Sequence, residues 1–67
     1  MSKKFNENLM KALDTTRSAL TICKQAMAET NDESCRAMYA AIIKDCEKHI
    51  QMLDGEIELH KARKKWD

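Results

Sequence analysis

Seam positions recur between residues 39 and 60 at steps of four and three: Tyr39, Ile43, Cys46, Ile50, Leu53, Ile57 and His60. Isoleucine occupies every a position of this heptad from Ile43 to Ile57. Such a period belongs to an α-helix packed along its length against another helix. A second stripe lies earlier in the chain, at Phe5, Leu9, Leu13, Thr16, Leu20, Cys23 and Met27, with Thr16 its weak member. Beside it runs a thinner line of Ala12, Ala19, Ile22 and Ala26, mostly small side chains that allow a neighbouring helix to approach closely.

The stripes are interrupted at Glu29-Thr30-Asn31-Asp32-Glu33-Ser34. Thr30 followed three residues later by Glu33 has the form of a capping box, and Asn31 is an alternative cap. Asp32 and Glu33 fall in the first turn of the next helix, where negative charge favours the positive end of its dipole. The pattern predicts a single domain over residues 1–67: a helix over about 4–29, a turn over about 29–32 and a helix over about 32–65. So short a turn forces an antiparallel hairpin. It pairs Phe5 with Ile57, Leu9 with Leu53 and Leu13 with Ile50, and brings Leu20 between Ile42 and Ile43 and Cys23 near Tyr39. Gly55 lies inside the second helix at a cost of about 1 kcal/mol relative to alanine. It marks either the close approach of a neighbour or a tolerated weak point.

The second helix carries more apolar surface than one partner can cover. Cys35, Met38, Ile42, His49 and Met52 run beside the main seam. The hairpin seam leaves Ile22, Cys35, Met38, Ile42 and Met52 largely outside, and a patch of that kind is rare on soluble monomers. The expected fold class is therefore all-α, an antiparallel two-helix hairpin dimerising into a four-helix bundle.

Composition supports helix throughout. Proline is absent, glycine occurs once and aromatic residues make up 4% of the chain. A chain of 67 residues lies below the roughly 70–80 at which one core is stable without a disulfide, a metal or oligomerisation. The formal charge of +1 gives no global field for nucleic acid or an anionic membrane. The start has basic residues without an apolar stretch behind them, and no run is long enough to span a bilayer, so the expected compartment is the cytoplasm. Three widely spaced cysteines, an odd number, read as reduced thiols that pack as small hydrophobes, unpaired within the chain.

Candidate chemistry is sparse. Asp45 and His49, and Glu56 and His60, are spaced i, i+4, so each pair shares a helix face. Ferritin-like bundles use Glu-x-x-His with further carboxylates from facing helices. Here the residues three before His49 and His60 are Cys46 and Ile57, and the first helix offers only Glu7 and Asp14 off its seam. No metal is the favoured reading, with His60 a partly exposed residue at the rim. Cys46-x-x-His49 is half of a zinc pattern. Lys61, Arg63, Lys64, Lys65 and Trp66 form a basic end opposite an acidic turn of Glu29, Asp32 and Glu33. That end suits a solvated helix terminus, or contact with nucleic acid or an acidic partner. No phosphate loop, nucleophile with its base, or acid pair suggests an enzyme.

The block Thr30-Asn31-Asp32-Glu33-Ser34-Cys35-Arg36-Ala37-Met38-Tyr39 resembles the start of the second helix in a family of very small domains of unknown function from spore-forming Firmicutes. The likeness rests on the Asp-containing turn, the basic residue two before Met38-Tyr39, and the Leu- and Ile-rich helix that follows. The tail Lys61-Ala62-Arg63-Lys64-Lys65-Trp66-Asp67 differs from the Glu-Pro type of that family. The resemblance implies a helical hairpin in a sporulating bacterium and supplies no activity. The expected function is a non-enzymatic interaction module whose partner is itself, with no cofactor. The alternatives are a ferritin-like metal-binding bundle through Asp45, His49, Glu56 and His60, and a small adaptor using the basic end.

Overall fold

A computed structural model describes residues 3–63. Two helices form, α1 over Lys3–Glu29 and α2 over Glu33–Ala62, with no strand among the described residues. They pack along their length as an antiparallel hairpin with extents of 48 × 16 × 11 Å. Both boundaries agree with the heptad pattern to within a few residues. The expected extension of α2 to residue 65 ends instead at Ala62, with Arg63 as C-cap, and Lys64, Lys65 and Trp66 lie outside the described residues.

The turn differs in its chemistry from the capping box expected at Thr30. The N-cap is Asp32, in extended conformation at φ −80 and ψ 118, and its carboxylate accepts from the Cys35 backbone N–H at 3.1 Å. Thr30 is used one step earlier: its hydroxyl accepts from the Asp32 backbone N–H at 3.2 Å and shapes the entry to the cap. Aspartate is at least as good a cap as threonine, and its charge also meets the positive pole of α2. α1 ends without a basic residue in its own last turn. Arg36 on α2 supplies one, its Nη1 donating to the carbonyl oxygens of Met27 at 3.0 Å and Thr30 at 3.4 Å. The turn is thereby closed from both sides.

Between the helices the seam of α2 is as expected, with Tyr39, Ile43, Cys46, Ile50, Leu53, Ile57 and His60 all buried or half-buried. On α1 the seam continues from Leu13 and Leu9 back to Asn6, which is 3% exposed, while Phe5 is left at 38%. Strict alternation of threes and fours from Leu13 leads to Asn6; the apolar stripe had taken a step of four to Phe5. Thr16 is tolerated on the seam because its hydroxyl donates back to the Ala12 carbonyl at 2.7 Å.

One contact at the open end falls further along α2 than the expected partner of Phe5. Phe5 packs edge-on against His60, about one turn beyond Ile57, with ring centroids 5.2 Å apart. The reason is side-chain tilt. Helical side chains lean toward their own N-terminus, so each surface position is covered by a residue about one place further along the chain. In an antiparallel pair the two leans add, and contacts move toward higher numbers on both helices.

The core is thin. Leu13, Cys46 and Ile57 are the buried apolar residues among those described, and no large side chain is fully enclosed. Gly55 has open space around the position of a Cβ. It is the tolerated weak point and not a site of close approach.

Candidate interaction face

The heptad sorts the surface of the hairpin into two flanks. With Ile43, Ile50 and Ile57 at a, the g positions of both helices lie on one side of the seam and the e positions on the other. The e flank is mainly polar, although Met10, 39% exposed, also stands there. It carries Arg17, Lys24, Glu47 and Asp54, and Arg17 meets Asp54 at 3.6 Å across the helices. Both partners are about half exposed, so this pair contributes little to stability.

The g flank is different. α1 presents Ala12, Ala19 and Ala26 there, and α2 presents Cys35, Ile42, His49 and Glu56. The c positions widen the same side, with Ile22 in a row with Asn8, Thr15 and Glu29 on α1, and Met38, Met52 and Leu59 in a row with Asp45 on α2. Ile22 is 64% exposed and Met52 60%, and Met38, Ile42 and Leu59 are exposed as well. Of the residues singled out from the pattern, Ile22, Met38, Ile42 and Met52 are thus solvent-facing, and Cys35 is half-buried beside them. Leu59 belongs to the same row and was not singled out; its heptad spacing from Met38 and Met52 is the signal that would have found it. An open groove of ≈ 370 Å³ lies on this flank, lined by Thr16, His49, Met52, Leu53 and Glu56. α1 contributes only Thr16 to its lining.

The polar candidates do not converge. Among the described residues no three His, Cys, Asp or Glu side chains are placed to hold a metal ion. Asp45 and His49 are both exposed on α2. His60 is a correction: it is 6% exposed and not a rim residue. Its Nε2 lies 3.5 Å from Glu56 Oε2, its Nδ1 is buried without a hydrogen-bond partner among the described residues, and its ring packs on Phe5. His49 and Glu56 line the same groove, but the two i, i+4 pairs do not combine into a set that could hold an ion. Cys23, Cys35 and Cys46 are free thiols, Cys46 within the seam.

At the basic end, Lys61 and Arg63 are exposed. No helix among the described residues is long and apolar enough to cross a membrane. No family model, curated protein or solved structure matches the chain.

Proposed function

We propose that this chain is a self-associating structural module, a helical hairpin that completes its core by pairing with a second copy as a four-helix bundle. The observation that carries the reading is the surface left over by the hairpin. Its accessible area is 5110 Å². A compact monomer of 7.7 kDa exposes about 4300 Å² by the scaling of surface with mass. The excess is that of a single elongated layer of two helices, with no second layer over its flank. The apolar flank supplies a face of the right dimensions for it, given extents of 48 × 16 Å in the plane of the two helices. A two-helix layer cannot enclose a core on both sides, and a second layer is the usual remedy. Two-fold pairing is the commonest closed arrangement for identical chains.

The role is one of assembly, not catalysis. The expected result is a melting temperature that rises with protein concentration, because dissociation accompanies unfolding. Replacing Met38 and Ile42 together by glutamate places two charges on the face and is expected to abolish that dependence. A parent protein whose melting point is independent of concentration would overturn the reading.

A further inference from the structure

Resting on that self-association, we infer that the pairing face is a charge switch: its carboxylates oppose pairing, and protonation of His49 beside them relieves the opposition. The basis is the sign of the charges on the flank. Between residues 5 and 60, apart from His49, the charged side chains at its c and g positions are Glu29, Asp45 and Glu56, all exposed. Over that span no Lys or Arg stands in those rows. Lys4, Lys11 and Lys48 fall at f, on the lateral edges of the hairpin, and Arg63 reaches a g position only at the C-cap of α2. His49 is one turn after Asp45 and lines the same groove as Glu56.

Any two-fold pair across this flank faces one set of carboxylates with its equal, whichever way the axis runs. The whole chain has a formal charge of only +1, so repulsion between copies comes from the face and not from the molecule at large. Like charges brought together with loss of water repel more strongly than on a free surface. A histidine is the side chain whose charge ordinarily changes between about pH 5 and 8. On α2 the titratable groups beside His49 are Asp45 and Glu56, with His60 beyond Glu56 at 3.5 Å. α1 brings Thr16 and no charged side chain to the groove. Pairing adds the carboxylates of the second copy to these surroundings, so the pair holds the imidazolium proton more firmly than the single hairpin does. Proton uptake then accompanies pairing, and by reciprocity pairing tightens as the pH falls through the histidine range.

The test is the dimer dissociation constant of the full chain, measured by sedimentation from about pH 8 to about pH 6, above the range in which carboxylates ordinarily titrate. It should fall on the order of tenfold across that range, as two symmetric histidines each gain the contribution of an ion pair. At the higher pH, raising sodium chloride from about 0.01 M to about 0.15 M shortens the screening length from about 30 Å to about 8 Å and should also tighten pairing. His49→Asn should remove the pH response. Asp45→Asn together with Glu56→Gln should tighten pairing at high pH and low salt. His60→Leu should keep the response, because His60 lies in the seam of the single hairpin. Circular dichroism at each pH checks that the helices persist. A dissociation constant that ignores pH, or a response that survives His49→Asn or vanishes in His60→Leu, would overturn the switch while leaving self-association intact. A single-chain mass at every pH and salt would overturn the self-association itself.

Discussion

Leu13 and His60 are opposite kinds of buried residue, and their substitution should separate them. Leu13 is 3% exposed and apolar. Truncating it to alanine should destabilise by about 2–5 kcal/mol, read from denaturant melts with unchanged slope. His60 fills its site with an imidazole whose Nδ1 is buried and unsatisfied among the described residues. An unsatisfied buried polar atom costs about 1–3 kcal/mol. His60→Leu keeps the volume and removes that atom, so stability should be equal or higher in the same melts. A loss as large as that of Leu13→Ala would mean the Glu56 contact at 3.5 Å outweighs the buried nitrogen. Ile50 is half-buried, so its truncation should cost less than that of Leu13. At this scale the sequence was legible for side chains on an unbroken period and misleading where hydrophobicity and period disagreed. At residues 5 and 6 the period prevailed: the backbone phase set by Leu9 and Leu13 carried asparagine inward and phenylalanine to the flank.

At the scale of the element, two substitutions test why each helix has the limits and strength it does. Gly55 lies within α2 with no heavy atom within 4 Å of an added Cβ. Gly55→Ala should therefore stabilise by roughly 0.5–1 kcal/mol through the unfolded chain and helix propensity. An unchanged or lowered melting point would reveal a neighbour on that face. Asp32→Ala removes the cap on α2 and should cost about 1 kcal/mol, with Asp32→Ser recovering most of it. The existence, direction and approximate ends of both helices were readable from periodicity and from the acidic run at the turn. The identity of the cap was not, since Thr30, Asn31 and Asp32 are all competent and the choice depends on backbone geometry at the turn. The reach of Arg36 to the carbonyls that end α1 was equally invisible, because it arises only once α2 folds back beside them.

For the whole molecule, long helices enclose only a thin core between them. Long heptads on a chain of 67 residues generate more apolar surface than one antiparallel partner can cover. That surplus was visible in the sequence as Ile22, Cys35, Met38, Ile42 and Met52. Which of them meet solvent became visible only with the helices placed: Ile22, Met38, Ile42 and Met52 are exposed, and Cys35 is half-buried. The polar residues that suggested a metal do not gather into a set of three once the helices are placed, among the described residues. Sedimentation equilibrium of the untagged parent protein at micromolar concentration separates a paired hairpin from a single one. The account predicts a species of twice the 7.7 kDa chain mass that is fully helical by circular dichroism. A well-folded species of single-chain mass at that concentration would contradict it.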